Sequence, residues 1–167
     1  ALGSFSVKAR NRYIKKKGAQ SDEDFWTLER FKEGYIKIIT RLKNETMAKI
    51  GLISIPIIGE DLTDPILNHS KLYAEIIKEI SKQLETYYMG LNERMIEYIK
   101  ENPSNPRYKY EAGLKLVIRG IISHFSGRTW KTIAERNGLS LLTDLIHLSP
   151  KGARLVSDFI ENFIERI

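Results

Sequence analysis

Residues Ala48-Lys49-Ile50-Gly51-Leu52-Ile53-Ser54-Ile55, which Pro56 ends, indicate the fold class. This stretch is short and apolar, and Lys49 is its single charged residue. A run of this kind is typical of a strand that is buried on both faces, as in parallel sheets with helices on either side. The polar, turn-rich residues 57–65 that follow are predicted to be a loop leaving the carboxyl end of this strand.

Helical periodicity surrounds this strand. The residues from about 24 to 44 carry one apolar stripe, and Ser21 or Asp22 can cap the helix that it predicts. A helical pattern also covers residues 66 to 101, where Gly90 is a point at which the helix can break or bend. The stripe of the first helix consists of Phe25, Leu28, Phe31, Tyr35, Ile38, Ile39 and Leu42.

Three further helices are predicted in the second half of the chain. One lies near residues 109–125, and a short one is capped by Thr129 and ends at Gly138. The last begins at Ser149 and Pro150, an N-cap followed by a proline at the first helical position, and runs to residue 167. Its predicted inward side chains are Ala153, Val156, Phe159, Ile160, Phe163 and Ile167.

A second short strand is predicted at Leu139-Ser140-Leu141-Leu142. Strand, helix and strand in this order favour a parallel α/β sheet. Two strands are too few for a self-sufficient sheet, since ordinary sheets have about 4–6. Either the helices form most of the core or strands are missing on the N-terminal side, and we favour missing strands.

The positive charge is a local feature. The chain has 167 residues and a formal net charge of +6, and the first 17 residues contain six basic residues and no acid. We interpret residues 1–21 as a basic arm, and beyond it basic and acidic residues balance. A basic arm favours contact with phosphates or an anionic membrane surface. Nucleic-acid binding through stacked bases is not favoured, because Phe5 and Tyr13 are the arm's only aromatic residues.

Composition excludes several classes of site. Cysteine is absent, so the chain has no disulfide, thiolate ligand or cysteine nucleophile. The three histidines, His69, His124 and His147, are too few and too scattered to predict a zinc site. Glycine-rich phosphate loops are also absent, and nothing in the sequence predicts a cofactor. No apolar run approaches the roughly 18–20 residues of a membrane-spanning helix, and the first residues lack the pattern of a signal peptide.

The main candidate for chemistry is the pair Asp144 and His147, which lies between the predicted strand at 139–142 and the last helix. In open α/β sheets, sites form beyond the carboxyl ends of strands. A carboxylate three residues before a histidine can hold the imidazole Nδ1–H and leave Nε2 free as a general base. The same spacing also occurs in loops whose histidine is only structural, and the spacing alone leaves both interpretations open.

Other polar and aromatic residues have simpler interpretations. Glu60 and Asp61 are predicted to be solvated loop acids, since no histidine lies near them in sequence. His69 is expected to have a surface or capping role, and His124 to lie at a helix end. Five tyrosines could line a substrate pocket, although helix packing is the simpler expectation. They are Tyr87, Tyr88, Tyr98, Tyr108 and Tyr110.

The sequence resembles the C-terminal end of the SGNH (GDSL-type) hydrolases. The resemblance is carried by Gly127-Arg128-Thr129-Trp130, Ala134-Glu135-Arg136-Asn137-Gly138-Leu139, Leu142-Thr143-Asp144-Leu145-Ile146-His147-Leu148 and Lys151-Gly152-Ala153. A second match, residues 49–61, is similar to the family's penultimate core strand and the loop after it. Together with the helix before it, the resemblance covers most of residues 22–167.

The resemblance implies an α/β fold, a flavodoxin-like three-layer sandwich with a parallel sheet and a helical insertion at 66–126 before the last strand. It also implies hydrolysis of a small-molecule or lipid ester by a serine esterase, in which His147 is the general base and Asp144 its orienting acid.

The chain departs from the family in two blocks. It contains neither the Gly-Asp-Ser block of the family's nucleophile nor the Gly-x-Asn-Asp block of its oxyanion hole. We therefore interpret residues 1–167 as a single domain that is the C-terminal portion of such a hydrolase. A companion N-terminal segment or chain would supply the serine, glycine and asparagine. The alternatives are a non-catalytic scaffold of the same fold and a binding module that uses the basic arm.

Overall fold

The computed structural model describes residues 27–110 and 127–166. In chain order these contain α1 (Leu28–Glu45), β1 (Gly51–Ile53), α2 (Ile66–Gln83), β2 (Tyr87–Met89), α3 (Leu91–Glu101), α4 (Trp130–Arg136) and α5 (Pro150–Ile164). The basic arm, His124 and nearly all of the helix predicted at 109–125 lie outside the described residues. Within the described ranges, helices dominate and the sheet has two strands.

The two strands are parallel and α2 connects them. Gly51 pairs with Tyr87, Leu52 with Tyr88, and Ile53 with Met89. The ladder extends past β1, because Ser54 donates its N–H to the carbonyl oxygen of Met89 at 2.9 Å. The predicted strand at 48–55 is therefore confirmed in type, but only its centre has strand geometry.

Helices cover β1 from both sides. Leu52 is buried in one cluster with Ile39 of α1 and with Ile77 and Ile80 of α2. The neighbouring Gly51 points to the opposite face, as successive strand residues do. A Cβ atom there would lie 3.0 Å from the ring of Phe163 on α5.

Helix α1 begins at Leu28, and the side chain of Thr27 caps it by accepting the N–H of Arg30 at 3.2 Å. The predicted caps Ser21 and Asp22 lie outside the described residues. From Leu28 onward the predicted apolar stripe is confirmed in part. Phe31 contacts Tyr73 of α2 edge to face, with ring centroids 4.8 Å apart, whereas Ile38 and Leu42 are exposed.

The continuous helical pattern predicted over residues 66–101 is wrong at its centre, where β2 lies inside the segment expected to be a helical insertion. Helix α2 ends at Gln83, and Glu85 then adopts a left-handed φ of 49°. Thr86, Tyr87 and Tyr88 follow, and β-branched and aromatic residues favour a strand when a pairing partner is available. The exposed edge of β1 provides that partner, which local periodicity cannot reveal.

The strand predicted at 139–142 is also wrong. Leu142 forms only an isolated antiparallel bridge with Leu148. The N–H groups of Ser140, Leu141 and Leu142 are instead donated to the carboxylate of Glu60. The segment is apolar and buried as a strand would be, but its donors are satisfied by a side chain rather than by a neighbouring strand.

Helices α4 and α5 begin where the sequence predicts. Thr129 caps α4 by accepting the N–H of Thr132, and Ser149 caps α5 by accepting the N–H of Gly152, each at 3.2 Å. Gly138 follows α4 with a φ of 69°. Helix α5 ends at Ile164 rather than at residue 167, and its predicted inward face is only half-buried, with Ala153 and Ile160 exposed.

The main core cluster joins α3, the loop after β1 and the segment at 139–145. Its buried members are Ile57, Leu67, Leu91, Met95, Ile99, Leu139, Leu141, Leu142 and Leu145. In the part of the chain that the structure describes, no helix combines the length and the apolar character needed to cross a bilayer.

Candidate active site

Asp144 and His147 lie on a short loop that its own backbone closes. Leu142 and Leu148 bridge its two ends. Thr143 donates both its N–H, at 2.7 Å, and its hydroxyl, at 3.1 Å, to the carbonyl oxygen of His147. Leu145 at the tip has a left-handed φ of 74°, an uncommon conformation for a branched residue that the surrounding contacts hold in place.

The loop brings the two side chains into direct contact, as the sequence predicts. Oδ2 of Asp144 lies 2.8 Å from Nδ1 of His147. Oδ1 accepts the backbone N–H of His147 at 2.9 Å and that of Ile146 at 3.2 Å. An ionised carboxylate only accepts hydrogen bonds, so this contact places the imidazole proton on Nδ1.

The two side chains differ sharply in exposure. The side chain of Asp144 is 7% exposed and that of His147 is 70% exposed. Among the described residues, no hydrogen bond to Nε2 of His147 is present. The arrangement therefore has a buried carboxylate that orients the imidazole and a second ring nitrogen that is accessible for proton transfer.

Two contacts from elsewhere in the chain hold this loop. The N–H of Gly59, in the loop after β1, is donated to the carbonyl oxygen of Leu145 at 2.9 Å. The side-chain amide of Asn137 is donated to the carbonyl oxygen of Thr143 at 2.6 Å. The tip and the base of the loop are thus each fixed by a different segment.

Glu60 contradicts the prediction of a solvated loop acid. It is 2% exposed, and both carboxylate oxygens accept backbone N–H groups from residues 140–142. Ser104 also donates its hydroxyl to Oε2. Sequence reasoning missed this residue because its partners lie far along the chain and no local spacing marks them.

Asp61 differs from its neighbour and is a turn-forming acid. Its carboxylate accepts the N–H of Thr63 at 2.9 Å and the Thr63 hydroxyl at 2.6 Å. The bond from the Thr63 hydroxyl, followed by the bond from its backbone N–H, lowers the pKa of Asp61 below its ordinary value. Both interactions are local, and the prediction of a loop acid is confirmed for Asp61.

The segment after the loop positions α5 closely. Besides capping α5, Ser149 donates its hydroxyl to the carbonyl oxygen of Ser140 at 2.7 Å. A Cβ atom on Gly152 would overlap the carbonyl oxygen of Leu141. The first turn of α5 therefore lies directly against the segment that Glu60 holds.

The remaining candidates do not join the site as a group. His69 is exposed on α2, in agreement with a surface role. Tyr88 donates its hydroxyl to Glu93 at 2.7 Å, and Tyr87 contacts Phe163 on α5. Tyr98 packs from α3 against the main core cluster, as helix packing predicts, and the partly buried Tyr108 and Tyr110 pack against the same cluster from outside any helix.

Two cavities lie away from the pair, and among the described residues the pair joins no metal-binding group. Within residues 27–110 and 127–166, no group of three or more His, Asp or Glu side chains is arranged to hold a metal ion. One cavity of about 350 Å³ lies at the amino ends of β1 and β2, and one of about 330 Å³ lies between α2 and α3. Asp144 and His147 line neither of these two cavities.

Comparison with known proteins finds similar structures but no similar sequence. No family model matches the sequence, and no curated protein matches it. An acetyl xylan esterase, AlAXEase, superposes with a TM-score of 0.56 at 18% identity, over 95% of this chain and 63% of that one. A mutant of Axe2, an acetyl-xylooligosaccharide esterase from Geobacillus, gives 0.53 at 12% identity, over 90% and 53%.

A third structure, LAE5, is described as an alpha/beta hydrolase enzyme from the metagenome of Lake Arreo. It gives a TM-score of 0.53 at 9% identity, over 89% of this chain and 52% of that one. The chain thus spans between about half and two thirds of the length of these three structures. At such low identities the likeness concerns the fold, and the described part of the chain has the helix-rich α/β fold of part of these hydrolases.

Proposed function

We propose that this chain is the base-carrying portion of a serine esterase of the SGNH type. The observation that carries the proposal is the 2.8 Å contact between buried Asp144 and exposed His147. His147 is the general base, and Asp144 fixes its orientation and stabilises the imidazolium that forms when the base accepts a proton.

In the proposed reaction, Nε2 of His147 removes the hydroxyl proton of a serine as the serine oxygen attacks the ester carbonyl. The imidazolium returns that proton to the departing alcohol, which leaves an acyl-serine. His147 then removes a proton from water, which attacks the acyl group, and the serine recovers its proton as the acid is released. No cofactor takes part in these steps.

A companion segment is proposed to supply the serine, glycine and asparagine. Three observations support it. In the described residues β1 pairs on one edge only, and Ile38 of α1 and Ile164 of α5 are 60% and 62% exposed. The similar solved structures also extend well beyond the matched region. Further strands beside β1 would cover these side chains and complete a flavodoxin-like three-layer sandwich.

The proposed substrate is a small-molecule or lipid ester. Two of the three similar structures act on acetylated xylan or its oligosaccharides, by their descriptions. An acetyl ester is therefore the first substrate to test. A scaffold that has the same fold without turnover is the alternative, and the test below separates the two.

The test is labelling with a fluorophosphonate, which traps an activated serine covalently, followed by intact-mass analysis of all polypeptides in the preparation. We expect an adduct on the companion segment or chain, and we expect labelling to slow strongly in His147→Ala. His69→Ala is the matched control, since His69 is exposed on α2 and its loss should leave the rate unchanged. Absence of any adduct, or equal labelling of His147→Ala, would reject the esterase.

A further inference from the structure

Glu60 is a buried carboxylate that the proposed reaction does not use. Its Oε1 accepts the N–H of Leu141 at 2.7 Å and that of Leu142 at 2.6 Å. Its Oε2 accepts the N–H of Ser140 at 2.8 Å and the hydroxyl of Ser104. Four donors therefore converge on one side chain. Hydrogen bonds to an ionised acceptor are shorter and stronger than those between neutral groups.

We infer that Glu60 is a positioning residue for the Asp144–His147 pair. The consequence of this role for catalysis rests on the proposed function. The carboxylate takes the place of a neighbouring strand for residues 140–142. Buried N–H groups need acceptors, and here one side chain provides them for three successive residues. The backbone can then leave strand geometry at Thr143 and form the loop that carries the pair.

The connection from Glu60 to the imidazole is short. Leu142, held by Oε1, bridges Leu148 and is followed by Thr143, whose N–H is donated to the carbonyl oxygen of His147. Gly59, the residue before Glu60, holds the loop tip through the carbonyl oxygen of Leu145. The dipeptide Gly59–Glu60 in the loop after β1 thus holds the loop tip and the residues that lead into the loop, while Asn137 holds its base.

The chemistry at this position requires a carboxylate and not merely a polar side chain. Three backbone N–H groups point at two oxygens, and each oxygen accepts at least one of them. Glutamine has one oxygen and one NH₂ group. In Glu60→Gln, the NH₂ group therefore faces at least one backbone donor, and that N–H loses its acceptor in a buried place.

The decisive experiment measures the imidazole rather than turnover. The ¹⁵N shifts of His147, observed through its carbon-bound ring protons at a pH where the ring is neutral, report which nitrogen carries the proton. The chain has three histidines, so His147→Ala assigns the signal. We expect a single Nδ1–H tautomer in the unaltered chain. We expect loss of this single-tautomer pattern in Glu60→Gln, with the thermal unfolding of the variant still cooperative.

Asp61→Asn is the matched control, because Asp61 is the adjacent acid and its carboxylate accepts hydrogen bonds from Thr63. It should keep the single-tautomer pattern. A Glu60→Gln variant that folds and keeps the pattern would overturn the inference. The outcome does not depend on esterase activity, so absent labelling by fluorophosphonate would reject the proposed function and leave the Glu60 result standing.

If Glu60→Gln does not fold, the amide protons of the unaltered chain provide the test of the inference. Short, charge-assisted bonds predict strongly downfield amide shifts for Leu141 and Leu142, with slow exchange in deuterium oxide. Ordinary shifts with rapid exchange would overturn the inference. In an active assembly, we expect Glu60→Gln to lower kcat by about 10-fold to 100-fold with KM unchanged, since small misplacement of a catalytic group has costs of this order.

Discussion

The backbone N–H of Gly59 donates a 2.9 Å hydrogen bond to the carbonyl oxygen of Leu145, and both residues have left-handed φ angles, 76° and 74°. Each residue lies at a sharp change of chain direction, one after β1 and the other between Asp144 and His147. The bond joins the loop at the carboxyl end of the sheet to the loop that carries the candidate base. The pair is therefore positioned by the sheet as well as by its own loop.

Position 59 is expected to need glycine because of its left-handed backbone conformation, and not because a Cβ atom would lack room there. A Cβ atom there would lie 3.5 Å from Ile66, an ordinary contact. The left-handed φ alone should make Gly59→Ala lose about 1–2 kcal/mol in the free energy of unfolding. Gly34→Ala, inside α1 and with open space around it, should instead gain about 0.5–1 kcal/mol. Urea denaturation measures both, and equal effects would contradict the prediction.

Replacement of Asp144, the proposed orienting acid, should reduce turnover in the proposed esterase. In Asp144→Asn the side chain can donate to the imidazole, which favours the wrong tautomer, and we expect kcat for an acetyl ester to fall by about 10⁴. The control is Asp158→Asn on α5, where the exposed carboxylate contacts Arg154 at 3.1 Å. A loss of less than about tenfold in Asp144→Asn would mean that the pair is structural.

Ser149 is expected to stabilise the start of α5 and the segment before the site. Its oxygen accepts the N–H of Gly152, and its hydroxyl is donated to the carbonyl oxygen of Ser140. Ser149→Ala should therefore cost about 1–2 kcal/mol, the usual range for loss of a serine cap and a buried hydrogen bond. Ser157→Ala, on the same helix with an exposed contact to Glu161, should change stability by less than about 0.5 kcal/mol. Thermal and urea unfolding of the two variants would show the difference.

Stability at alkaline pH should depend on Tyr88. Burial, together with the hydrogen bond to Glu93, raises the pKa of Tyr88 well above its ordinary value of 10.0. The unfolded chain then loses this proton before the folded chain does. The contribution of Tyr88 to the free energy of unfolding is complete below pH 10.0 and falls as pH rises above that value.

The check is the urea midpoint of the unaltered chain and of Tyr88→Phe, measured from neutral to alkaline pH. The variant should lose less stability above pH 10.0, although burial also raises the pKa values of Tyr35 and Tyr110, which remain in it. Identical pH dependence in the two proteins would refute the role of Tyr88.

Several features could be predicted because their causes are local. Thr129 and Ser149 are caps whose partners lie three residues ahead, and Pro150 suits the first helical position. Asp144 and His147 are three residues apart on one loop, so their contact follows from spacing. Whether the pair acts in catalysis stays a prediction, as does the companion segment.

The errors arose where a distant segment decides the local structure. Tyr87–Met89 is a strand because β1 lies beside it, although the surrounding pattern is helical. Leu139–Leu142 has the composition of a buried strand, but the carboxylate of Glu60 takes the hydrogen bonds that a strand neighbour would make.

The starts of α4 and α5, the strand at the centre of residues 48–55 and the Asp144–His147 contact could thus be predicted from the sequence, since each depends on residues within a few positions of one another. The pairing of β1 with β2 and the burial of Glu60 became visible in the folded chain alone. Strand pairing and the burial of a carboxylate both depend on hydrogen-bond donors that the fold brings from far along the chain.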